Sequence, residues 1–271
     1  MGWRGLLLLG VSLCGGGSTA SAGETPWNRV VLVELYTSQG CSSCPAADQL
    51  VRDLPRLGLA RDKVVPLTFH VSYWDQLGWK DRFASPAFAQ RQEWYAGSGR
   101  LRAPEGERAL AGLYTPQLVV AGMVHLSGQR HQAALAEMRR AALAPAAAEL
   151  DVEAHPEGDK VQVTVRIKAG PSLDPAADWR LVVALSERGA TTQVQRGENR
   201  GRTLQEAAIV RVLSDRLPVD RATLAARGAA PLRVTLARPA DLGAGNTDVT
   251  VFVQSERTRE IAAALVLPAA P

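Results

Sequence analysis

The sequence predicts an α/β half followed by an all-β half, and three observations carry that prediction. Arg29 to Tyr36 (RVVLVELY) is a near-continuous run of branched apolar residues, the mark of a strand buried on both faces. It leads through a short polar loop into Cys41-Ser42-Ser43-Cys44-Pro45 and then into a helical period, so strand, Cys-x-x-Cys and helix follow in order. From Glu149 onward the chain breaks into short alternating segments separated by Pro, Gly, Asp and Asn clusters, the pattern of an antiparallel sandwich.

Taken in order, the first 22 residues read as a secretory signal. Arg4 gives a positive start, Gly5 to Cys14 is a leucine-rich apolar run, and Ala20-Ser21-Ala22 is a small-residue cleavage site. The apolar run falls well short of the ~20 residues that a membrane-crossing helix needs. A lipoprotein acylated at Cys14 is the alternative, but Leu13 is bulkier than such a signal wants. After the first strand, Pro45 fits a first helical turn, where its missing N–H costs nothing, and Ala46, Ala47, Leu50, Val51, Leu54 and Leu57 keep a helical spacing. Val64 to Val71 is a second buried strand, Ser85 to Ala96 a helix entered through Ser85-Pro86, Leu118 to Val120 a strand, and Gln129 to Leu143 an amphipathic helix. The β half places strands at Glu149–Ala154, Val161–Lys168, Trp179–Ser186, Ala207–Leu213, Leu232–Ala237, Val249–Gln254 and Ile261–Leu267. The expected division is a signal over 1–22, an α/β domain over 23–146 and a β domain over 147–271.

Composition narrows the function classes. With 46% hydrophobic residues and three cysteines, the 271-residue chain is neither disordered nor a disulfide-rich miniprotein. The formal charge of +4 is modest and spread along the chain, without a basic block or an aromatic-basic stripe, which argues against a nucleic-acid partner. No segment after residue 22 is long and apolar enough to span a membrane.

Removing the signal leaves two cysteines, both in one four-residue motif. A thiolate is the reactive form of cysteine, and a helix N-terminus favours it through unpaired N–H groups and the positive end of the helix dipole. Cys41 faces that end and is the expected nucleophile, while Cys44, one turn inside, is the expected resolving thiol. Glu34, the lone charge in the first strand, is a candidate proton carrier for Cys44, with pairing to an arginine as the competing expectation. A static structural bridge is the bland reading of the cysteines, but a four-residue ring is a poor staple, because the entropy of loop closure grows with loop length. Closed tetrahedral zinc lacks a second cysteine pair or a His pair. Copper is the stronger metal alternative, with Cys41, Cys44 and His70 as a soft-ligand set. His70 otherwise reads as a satisfied core histidine able to tune Cys41.

The same order of elements, with Thr115-Pro116 directly before a strand, resembles the thioredoxin fold, in which that proline is cis and its loop lies against the sulfurs. The segments ELYTSQGCSSCPAAD from Glu34, FHVSYWDQLGWKDRFASPAFAQRQEWYA from Phe69, YTPQLVV from Tyr114 and GENRGRTL from Gly197 resemble the DUF1223 family of secreted thioredoxin-like proteins. The resemblance implies an α/β thioredoxin-like domain followed by an all-β sandwich-like C-terminal domain. It places the family's Thr-Pro loop on Thr115 and Pro116, which would shape a substrate groove. The dense cluster of Tyr73, Trp74 and Trp79 with His70 and Asp75 reads by its own composition as lining that groove beside the sulfurs, with buried packing as the competing expectation. Ser72 stands where the family leads one to expect an acidic residue, and Ser42-Ser43 replaces the Gly-Pro of thioredoxin.

The expected protein is therefore a secreted or periplasmic thiol–disulfide oxidoreductase that needs no cofactor and acts on protein or small-molecule thiols and disulfides. The competing readings are a copper-handling protein and a non-catalytic binding module with a structural disulfide.

Overall fold

The structure, a computed structural model, describes residues 26–220, 223–224 and 230–269. The predicted signal at 1–22, Cys14 included, lies outside the described residues.

The first strand, β1 (Val31–Thr37), is buried along its whole length. Val31, Val33 and Leu35 face one core, and Leu32 and Tyr36 face another. This two-sided burial is why the sequence shows a continuous apolar run instead of an alternation. Helix α1 (Pro45–Asp53) starts on Pro45 and lays Ala47, Leu50 and Val51 on the first core. β2 (Val64–His70) pairs parallel with β1. Helix α2 (Pro86–Ala96) is capped by the Ser85 side chain, which accepts from the Ala87 N–H, and covers the second core with Phe88 and Tyr95. β3 (Gln117–Val120) and β4 (Val124–Ser127) extend the sheet antiparallel beyond β1. Helix α3 (His131–Ala142) packs Ala134, Leu135, Met138 and Ala142 beside α1 on the first core.

The remaining strands are β5 (Ala148–Glu157), β6 (Lys160–Ala169), β7 (Trp179–Gln193), β8 (Thr203–Leu213), β9 (Leu217–Val219), β10 (Leu232–Ala237), β11 (Thr247–Ser255) and β12 (Ile261–Pro268). They do not form a self-contained sandwich. β8 pairs parallel with β2 at Thr68↔Ile209, and the Thr68 hydroxyl donates to the Ala207 carbonyl at 2.8 Å. One sheet therefore runs β12-β11-β7-β8-β2-β1-β3-β4, with β9 beside β7, while β10-β6-β5 forms a separate three-stranded sheet. The small sheet turns Val161, Val163 and Val165 onto Leu181, Val183, Val249 and Val251 of the large one. The opposite face of β7 and β11 offers Val182, Ala184 and Phe252 to the same core that Leu32, Tyr36 and Phe69 occupy.

This architecture overturns the expected α/β thioredoxin-like domain followed by a β sandwich. Of the described residues, 41% are strand and 18% helix, and one large mixed sheet takes strands from both halves of the chain. The physical reason lies in the edge of β2. Its apolar residues need cover and its backbone needs partners, and β8 supplies them from some 140 positions downstream, a pairing that no local pattern announces.

Candidate functional site

The cysteines sit just past the C-terminal end of β1, where the chain turns into α1. Cys41 and Cys44 form a disulfide. The Cys41 N–H donates to the Ser38 carbonyl at 3.1 Å, and the Cys44 N–H donates to the Cys41 carbonyl at 3.2 Å, so the loop is already wound toward helix when it reaches Pro45. Both cysteines are 0% exposed, while Ser42 between them is open to solvent. Trp74 stands against the loop: a Cβ on Gly40 would lie 3.5 Å from the Trp74 Cβ. The buried Trp74 indole N–H has no protein acceptor.

The Thr115–Pro116 bond is cis and introduces β3, whose Gln117 is paired with Tyr36 of β1, at the same end of the sheet as the cysteines. Gly128 is what lets that loop approach α1, since a Cβ there would fall 2.6 Å from Ala47 and 3.6 Å from Pro116. Tyr73 is tied to the same loop. Its hydroxyl donates to Gln92 at 3.1 Å, and Gln92 in turn donates to the Tyr114 carbonyl and to the Gln117 side chain, each at 2.9 Å. Burial pushes the Tyr73 hydroxyl up to about 12.

Glu34 is placed elsewhere. In the middle of β1 it accepts from Arg91 Nε at 2.6 Å and from the Tyr95 hydroxyl, and Arg91 also donates to Gln254 at 2.9 Å. Burial alone would lower the Arg91 pKa, but the facing Glu34 carboxylate overrides it and the net shift is upward. Both Glu34 oxygens thus have partners, and the arginine pairing that competed with the proton-carrier expectation is present.

Other titratable groups pack against the loop and helix start that carry the disulfide. His70, at the end of β2 and in register with Thr37, donates from Nδ1 to Asp81 at 2.6 Å, and its Nε2 lies 3.9 Å from Glu206. Burial would lower the His70 pKa, but Asp81 and the neighbouring carboxylates outweigh it and raise it to about 9. Asp81 also accepts from the Gln39 and Phe83 N–H groups at 2.8 and 2.9 Å. Against the raising effect of its own burial, His70 and these donors hold its carboxyl below the usual range. Asp48, one helical turn after Cys44, is raised to about 7 by burial, with His70 opposing. Glu206 is raised by burial as well. Three buried carboxyls thus surround one imidazolium, and His70 Nε2, Glu206 Oε1 and Asp48 Oδ1 have no hydrogen-bond partner in the protein.

The copper set does not assemble. The two sulfurs are bonded to each other, His70 is engaged by Asp81, and among the described residues no group of three His, Cys, Asp or Glu side chains is placed to hold a metal ion.

A second layer comes from the C-terminal half. Gln39 donates to Thr192 and Glu206 and accepts from the Trp79 indole, each at 3.0 Å. The loop joining β7 and β8 places Glu198 and Asn199 on the backbone at Cys41. Sequence reasoning assigned no role to Asp48, Asp81, Glu198, Asn199 or Glu206. Their only signal was position: the first four fall inside the segments CPAAD, GWKDRF and GENRG that surround the recognised motifs.

Fold and site together define a mixed-sheet protein that presents a Cys-x-x-Cys disulfide at a helix start, over a buried cluster of ionisable groups. Among the described residues, no helix is long and apolar enough to cross a membrane. The chain belongs to the DUF1223 family, proteins of unknown function, whose signature matches residues 32–254. Protein AGR_C_4864 from Agrobacterium tumefaciens is 26% identical, with a TM-score of 0.62 over 89% of this chain and 95% of that chain. HBP35 of Porphyromonas gingivalis shares 14% identity and a TM-score of 0.64 over 92% of this chain and 78% of that one, a likeness of fold alone. No curated protein matches the chain.

Proposed function

We propose that the protein is an exported thiol–disulfide oxidoreductase, with Cys41 as nucleophile and Cys44 as resolving thiol. The observation that carries the reading is the Cys41–Cys44 disulfide at the start of α1. A bridge that closes so short a ring contributes little stability, and its place at the helix start, with Cys44 at the N-cap and Cys41 just before it, favours a thiolate on Cys41. Reduced Cys41 attacks one sulfur of a substrate disulfide, the substrate S–S bond breaks, and one substrate thiol leaves with a proton. Cys44 then attacks the Cys41 sulfur of the mixed disulfide, releasing the second substrate thiol, so the substrate gains the two electrons that the protein pair loses. The same steps run backward when the protein oxidises a dithiol. Asp48 takes the proton role first expected of Glu34, because it stands one turn after Cys44 and is raised to about 7 by burial. The cis Thr115–Pro116 loop, Tyr73 and Trp74 supply the substrate groove. Export rests on residues 1–22.

Equilibration with glutathione tests the reading. A potential between about −120 and −270 mV, together with mixed disulfides captured by Cys44→Ala, supports exchange chemistry. A potential below about −300 mV with nothing captured makes the pair a structural bridge in a binding module.

A further inference from the structure

The peptide unit that follows Cys41 is gripped at both its polar atoms by two consecutive residues of the β7–β8 loop. Its carbonyl, Cys41 O, accepts from Asn199 Nδ2 at 2.9 Å, and its N–H, that of Ser42, donates to Glu198 Oε2 at 2.9 Å. The other N–H of the same Asn199 amide goes to the Gln39 carbonyl at 2.9 Å. The amide oxygen accepts from Arg202 Nη1 at 3.1 Å, so this 0% exposed side chain has no free polar atom.

The loop that delivers the two residues is itself fixed. Val194 N–H donates to the Arg202 carbonyl, Gly201 N–H to the Val194 carbonyl, and Arg202 N–H to the Asn199 carbonyl. Gly197 has φ +74°, and a Cβ there would fall 3.1 Å from the Trp79 Cβ, so the loop is seated on the segment whose indole holds Gln39. A glycine serves this position because it combines the left-handed backbone with close approach.

We infer that Glu198 and Asn199 are positioning residues for the cysteine pair: Asn199 fixes the peptide at Cys41, and Glu198 adds a negative charge that disfavours the Cys41 thiolate and biases the pair toward the disulfide. The inference rests on the redox reading above for its consequence but not for its measurement. A carboxylate near a thiol raises the free energy of the thiolate, and a less stable thiolate makes the dithiol form less stable at neutral pH. Glu198 is exposed, so solvent and salt screen its charge and the expected effect is small but measurable.

The test uses Glu198→Gln, which keeps an acceptor for the Ser42 N–H and removes the charge, beside Glu198→Asp, which keeps the charge. In the single-thiol background Cys44→Ala, ultraviolet thiolate absorbance against pH reads the Cys41 pKa. Glu198→Gln lowers it by about half a unit, Glu198→Asp does not, and the difference shrinks at 1 M salt, where the screening length is about 3 Å. In the full chain, two glutathione thiols convert the disulfide to the dithiol and release one oxidised glutathione. Glu198→Gln moves that equilibrium about threefold toward the dithiol, or about 14 mV. The inference is overturned if the Gln and Asp variants share one Cys41 pKa, or if the shift ignores salt. A wild-type potential in the structural range would instead remove the oxidoreductase reading, leaving the Cys41 pKa comparison to stand or fall by itself.

Discussion

Two buried charge clusters occupy the large sheet, and they are built on opposite rules. Around Glu34, one carboxylate meets one guanidinium, with Tyr95 and Gln254 hydrogen-bonded to them and the nearby Tyr36 hydroxyl left without a partner. Around His70, one imidazolium serves three carboxyls, and three polar atoms lack partners. A balanced buried network holds structure, whereas an unbalanced one keeps groups whose protonation changes near neutral pH. The unbalanced cluster is the one hydrogen-bonded to the loop that leads into the cysteines. The lone charge in a buried strand was the conspicuous sequence signal, and it belongs to the cluster built on the Arg91 pair.

The sharpest way to break the contrast is Arg91→Leu. It strands the Glu34 carboxylate in the core, and urea denaturation should show a loss of about 3–5 kcal/mol. Glu34→Gln, by contrast, should leave the rate of thiol–disulfide exchange at the wild-type value, and a large fall in that rate would restore Glu34 to the chemistry.

The His70 cluster predicts a pH dependence. The folded pKa of His70 is raised from 6.5 to about 9, so its contribution is fully present below about pH 6.5 and is lost as pH rises through 9. Stability should fall by on the order of 2–3 kcal/mol across that window, at 1.36 kcal/mol per unit. Thermal melts from pH 6 to 9.5 check this, and a flat or rising Tm would show that His70 is not held as a cation.

An effect of similar size concerns Asp48. Its folded pKa is raised from 3.8 to about 7, so its ionisation works against the fold increasingly as pH rises through that range. Asp48→Asn removes this cost and should stabilise the protein at pH 8 relative to pH 5 by on the order of 2–3 kcal/mol. It should also slow resolution of the mixed disulfide at neutral pH. Unchanged resolution kinetics would leave Asp48 a passenger in the cluster.

What the sequence announced was what depends on local pattern. The two-sided apolar run of β1, the Pro45 start of α1, the Ser85-Pro86 start of α2 and the alternation of β6 each follow from near neighbours. The register joining β8 to β2 depends on chemistry far apart in the chain, and so did the placement of the ionisable groups. β7 reads as ending at Ser186 and β8 as starting at Ala207, because the residues between carry polar side chains. The structure continues the two strands through Gln193 and back from Thr203 as a polar hairpin. That extension delivers Thr192, Glu206, Glu198 and Asn199 to the cysteines, and no apolar period marks it. Arg91 and Asp81 were equally illegible, since a charge in a helix or a turn gives no sign of the strand residue it will neutralise.

The pairing of β8 with β2 also sets an order of events. A chain emerging from its N-terminus presents Cys41 and Cys44 well before residues 198 and 199 exist outside the machinery that makes or moves it. During that interval the two sulfurs are uncovered and adjacent in sequence, open to whatever oxidant the surroundings hold. The later arrival of the β7–β8 hairpin then adds the Glu198 and Asn199 contacts to a Cys41 peptide that has already left that machinery, so the N-terminal half meets its surroundings without them.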